Sequence, residues 1–209
     1  LEVKNHEFKA VLSVFQMNLK LEELRKKWAS EGDKWPDLVK NMQHRIGINT
    51  GNLVTGNMGS QLQMNYTCMG DTVNLGARLE SGAKHWGIDV QVAHSVYEST
   101  NDYFIYRKLG SIRVKGKEEP IKVYELICQK GQESEDIKNL LNQFEIARKL
   151  YLKKKWDEAI KAFNESNKLE KMTNYRKINP SQTYIKICNE FKNNPPDSNW
   201  DGTYNFKEK

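Results

Sequence analysis

The stretch of residues 65–80 constrains the fold of this chain more than any other, because it predicts a strand and a helix joined through one glycine. Residues 64–69 form an apolar-flanked segment typical of a short strand, which runs into Gly70. Asp71 follows as a predicted N-cap, and the helix that it opens is expected to extend to about Ala83. The chain therefore has to change from strand to helix within a single turn.

Two polar residues of this helix, Asn74 and Arg78, are four positions apart, so their side chains project from the same face. An amide can orient a sugar oxygen, and a guanidinium can offset charge that builds on a phosphoryl group. Polar pairs of this kind are also common on surface helices, where both side chains face water. The pair alone leaves both interpretations open. Gly76, which lies between the two, costs the helix about 1 kcal/mol relative to alanine.

Three longer motifs, in order along the chain, narrow these alternatives. They read HRIGINTGNLVTGNMGS at residues 44–60, YTCMGDTVNLGARLES at residues 66–81 and RVKGK at residues 113–117. Together they closely resemble the catalytic domain of class III nucleotide cyclases. The resemblance implies an α+β fold with a ferredoxin-like antiparallel sheet and packed helices, and an enzyme that converts ATP to cyclic AMP and pyrophosphate. It also implies a head-to-tail homodimer, or a heterodimer of cyclase domains, with sites shared between the subunits.

The resemblance assigns roles to four charged or amide side chains. Asn74 matches the residue that orients the ribose, and Arg78 matches the one that stabilises the pentavalent phosphoryl transition state. Lys115 matches a lysine that contacts the triphosphate. Arg45 matches an arginine that reaches the phosphates from the metal-bearing subunit, whereas the Asn/Arg pair comes from the other subunit of the dimer. The alternatives are an ordinary turn lysine at position 115 and a solvent-exposed strand-edge charge at position 45.

Thr67 bears on the choice of base. At this position the resembling family carries aspartate or threonine where adenine is read, and typically cysteine where guanine is read. A threonine hydroxyl can accept a hydrogen bond from the adenine amine, but it can also donate one, and threonine favours strands for backbone reasons as well. We therefore expect ATP as the substrate, with guanylate cyclase as the alternative. Cys68 lies one position too late to be the guanine-type cysteine, and we expect it to be a buried strand residue.

The resembling family also uses two divalent metal ions, Mg²⁺ or Mn²⁺, bound by two aspartates that precede the opening helix. Asp33, Asp37 and Asp71 do not match either position, so we expect no metal ligand in this chain. Our interpretation is a fragment of a longer enzyme, inactive by itself, whose preceding segment supplies the ligands. The alternative is a degenerate half-domain that serves as a non-catalytic dimerisation or scaffold module.

Composition limits the possible partners and location. The net charge of +6 would suit a nucleic-acid partner, but the lysines alternate with glutamates in residues 20–27 and 153–171, as is typical of solvated helix faces. We therefore expect no nucleic-acid binding. No apolar run approaches the roughly 20 residues that span a bilayer, no signal peptide opens the chain, and the three cysteines lack metal-ligand spacing. These features predict a cytoplasmic location, and the full-length protein could still be membrane-anchored.

Hydrophobic periodicity predicts the order of the remaining elements. We expect a long helix over residues 6–30 and a hairpin formed by residues 44–49 and 53–57. A strand over residues 88–93 and a short helix over residues 93–98 should follow, and then a hairpin formed by residues 104–114 and 120–127. These elements belong to a predicted catalytic part at residues 1–128, followed by a linker at residues 129–135.

The C-terminal third of the chain has a different pattern. Residues 137–154 and 156–170 read as two amphipathic helices, and their sequence resembles one tetratricopeptide-like hairpin. A helix over residues 181–191 should complete a helical region at residues 136–194, before a tail at residues 195–209. Such hairpins and PP…WDG tails resemble those that follow the cyclase domain in many bacterial-type adenylate cyclases. A single hairpin cannot bury its apolar face alone, so we expect it to pack on the catalytic part or on another protein.

Overall fold

The computed structural model describes residues 3–113, 120–171 and 176–206. Its helices are α1 (His6–Ser30), α2 (Asp37–Lys40), α3 (Asp71–Trp86), α4 (His94–Thr100), α5 (Glu135–Leu152), α6 (Trp156–Leu169) and α7 (Pro180–Asn193). Its strands are β1 (Ile46–Ile48), β2 (Val54–Ser60), β3 (Gln63–Met69), β4 (Val90–Ala93), β5 (Phe104–Ile112) and β6 (Ile121–Gln129). None of the described helices is long and apolar enough to cross a membrane.

Four of the strands form the central sheet, in the order β1-β4-β6-β5. β6 pairs antiparallel with both of its neighbours, whereas β1 and β4 run parallel. The predicted α+β arrangement, rich in antiparallel pairing, is thus confirmed, with one parallel pair at the β1 edge. The predicted helix over residues 6–30 and the hairpin of β5 and β6 are also confirmed.

The predicted pairing of residues 44–49 with residues 53–57 is wrong. β2 pairs antiparallel with β3 instead, from Val54 opposite Met69 to Ser60 opposite Gln63, and the two strands form a separate sheet. Only two residues connect β2 to β3, which is the commonest loop length for a hairpin and has a small entropic cost of closure. β1 makes its backbone hydrogen bonds with β4, so it does not pair with β2, the next strand in the sequence.

Glycines flank helix α3 at both ends, as its N-cap and C-cap residues. Gly70, rather than the predicted Asp71, is the N-cap residue, and no side chain caps the helix there. Asp71 is the first helical residue, where its negative charge interacts favourably with the positive end of the helix dipole. At the other end Gly87 has φ of 67°, and a Cβ atom at this position would lie 1.9 Å from the carbonyl oxygen of Ile178. Any other residue at this position would therefore be both strained and crowded.

The two faces of the sheet carry two separate hydrophobic cores. On one face, α1 and α4 cover alternate residues of the strands, including Val90 and Val92 of β4. On the other face, α3 and the C-terminal helices share a single core, to which β5 contributes Leu109, α5 Phe144 and α7 Tyr184. The apolar face of the helical region therefore packs on residues 1–128, the first of its two expected arrangements.

A buried ionic cluster joins the sheet to the helical region. The guanidinium of Arg107 on β5 donates to Glu125 on β6 at 2.7 Å and to Glu170 at the end of α6 at 2.6 Å. Burial alone would lower the pKa of Arg107, but the two carboxylates raise it above its usual value. Because an uncompensated buried charge is costly, these contacts restrict how α6 can sit on the sheet.

Candidate active site

The polar face of α3 carries the predicted pair of side chains. Asn74 is exposed and Arg78 is half-buried, whereas Leu75 and Leu79 on the opposite side lie in the core. This division follows from the helical period, since positions four apart share a face and neighbouring positions do not. The structure thus places the amide and the guanidinium on the side of α3 that faces away from the sheet.

A close backbone contact holds this helix on β1. A Cβ atom built on Gly47 of β1 would lie 2.2 Å from the carbonyl oxygen of Gly76 and 2.4 Å from the amide nitrogen of Glu80. Only a residue without a side chain fits at position 47. By contrast, a Cβ atom on Gly76 itself would meet no heavy atom within 4 Å. The strand therefore requires its glycine, and the helix does not require its own.

Arg45 precedes β1 and is paired with α3. Its Nε donates to Glu80 Oε1 at 3.0 Å, and both side chains remain partly exposed. The structure therefore brings Arg45 to the same helix that carries Asn74 and Arg78. An exposed ion pair of this kind is weak, so Glu80 does not prevent Arg45 from binding a phosphate.

Thr67 lies in the β2–β3 hairpin opposite Gly56, and its side chain is exposed. The neighbouring Cys68 is exposed as well, so the expectation of a buried strand residue is wrong. The reason is that every residue of β3 is exposed, because no other layer of the described chain covers this hairpin. The two other cysteines are buried, and burial raises the pKa of Cys188 to about 12, which keeps that thiol protonated.

Lys115 lies in residues 114–119, outside the described part of the chain. The described residues on either side are Arg113, at the end of β5, and Pro120, ahead of β6. Arg113 forms an ion pair with Asp201 of the C-terminal tail, with 2.9 Å between Nη2 and Oδ2.

A metal centre needs several acidic, histidine or cysteine side chains close together. Across residues 3–113, 120–171 and 176–206, no three such side chains converge so that they could hold a metal ion. The described residues therefore do not fit a two-metal site, and we assign them no metal-dependent step.

One polar junction beside α3 was missed from the sequence. Asn49, directly after β1, donates through Nδ2 to the carbonyl oxygen of Thr72 at 3.0 Å and accepts from Ser95 Oγ at 3.4 Å. With His94 and Thr50 these residues line a cavity of about 240 Å³ at the beginning of α3. An amide residue directly after a strand was the available signal, but its partners lie more than 20 residues away.

Comparison with known proteins shows which family the chain belongs to. The model of the adenylate and guanylate cyclase catalytic domain matches residues 1–128. The chain belongs to this cyclase family. Adenylate cyclase 1 of Rhizobium meliloti is 37% identical over 83 residues, which make up 40% of this chain and 12% of that protein. The membrane guanylyl cyclase of Dictyostelium discoideum is 38% identical over 77 residues, 36% of this chain and 5% of that protein.

One solved structure is similar to part of the chain. The adenylyl cyclase CyaB from P. aeruginosa is 30% identical, with a TM-score of 0.45 over 57% of each chain. The chain described here thus spans only a small part of the length of the curated relatives that it matches.

Proposed function

We propose that this chain is part of an adenylate cyclase that converts ATP to cyclic AMP and pyrophosphate. The observation that carries the proposal is the outward face of α3, where Asn74 and Arg78 stand one turn apart above buried leucines. In the reaction the ribose 3′-hydroxyl loses its proton to water, and its oxygen forms a bond to the α-phosphorus while the bond from that phosphorus to the pyrophosphate oxygen breaks. Asn74 orients the ribose, and Arg78 offsets the charge that builds on the α-phosphoryl oxygens.

The enzyme works as a head-to-tail homodimer or as a heterodimer of cyclase domains. The β2–β3 hairpin supports this proposal because it exposes large apolar side chains. The exposed fraction is 98% for Leu62, 74% for Tyr66 and 57% for Met64. Exposing large apolar side chains to water costs free energy, so a hairpin of this kind indicates a surface that contacts another protein. The hairpin leads directly into α3, so a partner bound to it would lie beside Asn74 and Arg78.

ATP is the proposed substrate, and GTP is the alternative. Thr67, in the same hairpin, supports adenine through its hydroxyl group, which can accept a hydrogen bond from the adenine amine. The curated relatives carry mainly adenylate cyclase names, and a guanylyl cyclase among them favours the alternative. Lys115 and Arg45 are proposed phosphate contacts. The two divalent metal ions would be held by residues outside this chain. The tetratricopeptide-like character of the helical region stays a prediction.

The test is a product assay on the full-length protein, given ATP or GTP with Mg²⁺ or Mn²⁺. We expect cyclic AMP as the main product. Arg78→Ala should lower kcat by roughly 100-fold or more with little change in stability, because it removes a contact made mainly in the transition state. Lys84→Ala, an exposed cation removed from the same helix, is the matched control and should keep normal turnover.

Three results would contradict the proposal in different ways. Cyclic GMP as the main product would assign the chain to guanylate cyclases. Near-normal turnover by Arg78→Ala would remove the proposed role of α3. A full-length protein that dimerises but forms neither cyclic nucleotide would favour a non-catalytic scaffold module.

A further inference from the structure

The last described residues of the chain return to the catalytic part. Residues 200–206, which we call the C-terminal strap, follow α7 and are folded by local hydrogen bonds. Trp200 Nε1 donates to the carbonyl oxygen of Thr203 at 2.8 Å, and the amide of Thr203 donates to Asp201 Oδ1 at 2.9 Å. The indole ring of Trp200 packs against Tyr151 of α5 with ring centroids 5.0 Å apart. The strap is thus a fixed segment rather than a loose tail.

One end of the strap packs on the end of α3. The ring of Phe206 stacks on His85 at 4.5 Å between centroids and meets Trp86 edge-on at 5.2 Å. Tyr184 of α7 lies 5.3 Å from Trp86, and Thr183 of α7 donates to the carbonyl oxygen of His85 at 2.8 Å. The largest buried side chain in the last turn of α3 is therefore enclosed by α7 and by the strap.

The other end of the strap is tied to the end of β5. Asp201 pairs with Arg113, although 88 positions separate them in the chain. Both side chains are well exposed, at 48% for Arg113 and 38% for Asp201, so the pair contributes little to stability. The pair shows only that the strap lies next to the end of β5.

A small rotation of α3 about its axis would displace the side chains of Asn74 and Arg78. A helix with its side chains has a radius of roughly 5–6 Å, so a rotation of about 10° about its axis moves an outward group by about 1 Å. A misplacement of that size can lower a reaction rate by about 100-fold. Near Asn74 and Arg78 the helix touches β1 through a glycine, whereas Trp86 anchors its far end.

We propose that Phe206 is a positioning residue for the cyclase reaction, and this inference rests on the proposed function. Phe206, through Trp86 and His85, sets the rotation of α3 and thereby the place of Asn74 and Arg78.

The experiment measures kcat and KM for ATP in the full-length protein. Phe206→Ala should lower kcat roughly 10-fold or more with KM nearly unchanged, because α3 acts mainly in the transition state. Phe206→Tyr keeps the ring and should retain kcat.

Two control variants separate positioning from general loosening of the helical region. Ile160→Ala removes a half-buried apolar group of α6, and Asp157→Asn removes an exposed charge that pairs with Lys192. Both should leave kcat and KM within about twofold of wild type, since neither residue belongs to α3, β5 or the strap. Thermal midpoints of all variants are compared in the same samples.

The outcomes distinguish this inference from the proposed function. An active wild type with unchanged kinetics in Phe206→Ala overturns the positioning role of Phe206 alone. So does an equal loss of kcat in Ile160→Ala and Phe206→Ala. A full-length wild type that makes no cyclic nucleotide from ATP or GTP overturns the proposed function, and the positioning role with it.

Discussion

In this cyclase domain, the direction in which a side chain points follows from the repeat of its helix or strand and from which face of that element is buried. Asn74 and Arg78 share the outward face of α3 because they are one turn apart, while Leu75 and Leu79 turn into the core. In the same way Gln91 of β4 points to the opposite face of the sheet from Val90 and Val92. The amide of Asn74 and the guanidinium of Arg78 are therefore presented together by one helix.

At the residue scale, Thr67→Cys tests the choice of base. The thiol is a weaker hydrogen-bond partner than the hydroxyl for the adenine amine, so we expect the preference for ATP over GTP to fall. The effect should be a few-fold, because one neutral hydrogen bond contributes only about 1 kcal/mol. The measurement is the ratio of kcat/KM for the two nucleotides in the full-length protein. Thr55→Cys, on the paired strand opposite Cys68, is the matched control. An unchanged ratio in Thr67→Cys would mean that other residues select the base.

At the scale of elements, α3 depends on its contact with β1. The strand brings Gly47 directly against the backbone of the helix at Gly76 and Glu80. Elements rarely approach this closely unless one residue lacks a side chain. The contact determines how far the outward face of α3 stands from the sheet.

The two glycines of this contact should therefore respond in opposite ways to alanine. Gly47→Ala forces the strand and helix apart and should destabilise the protein by about 1–3 kcal/mol or more, with a loss of cyclase activity. Gly76→Ala places its methyl group in open space and should stabilise the helix by about 0.5–1 kcal/mol. Denaturant unfolding of both variants checks this contrast. Equal stabilities for the two variants would contradict the described packing of α3 on β1.

At the scale of the whole molecule, one large apolar surface is buried within the chain and another stays exposed. The helical region and the catalytic part bury their apolar faces together in one core, which includes Phe144, Tyr184 and Leu79. The β2–β3 hairpin, in contrast, has no covering layer in the described chain and keeps its methionine, leucine and tyrosine side chains in water. The hairpin is thus the surface that most needs a partner.

A charged hairpin should therefore weaken dimerisation. The double variant Leu62→Lys/Tyr66→Lys removes two large exposed apolar groups and adds like charges to both copies. Burying one such group contributes about 1.5–3 kcal/mol, so the dimer dissociation constant should rise by roughly 100-fold or more. Sedimentation of the full-length protein over a range of concentrations measures it, alongside specific activity. Leu38→Lys, on α2 and 84% exposed, is the control and should change neither quantity. If the double variant dimerises and turns over like wild type, the hairpin is excluded as the dimer contact.

The sequence by itself determined the local features of this protein. Helical spacing predicted α1 with its observed limits, and the turn at Gly70 with the helix after it predicted the element that carries Asn74 and Arg78. The order of motifs predicted the cyclase family to which the chain belongs. These features depend on neighbouring residues, whose periodicity and turn preferences act over a few positions.

Only the tertiary structure decided which distant segments meet. It paired β1 with β4 rather than with the next strand, and it left Cys68 exposed on an uncovered hairpin. It also seated the helical region on α3 and brought Asp201 to Arg113. Such contacts depend on which apolar surfaces bury each other once the whole chain is compact, and no local pattern contains that information.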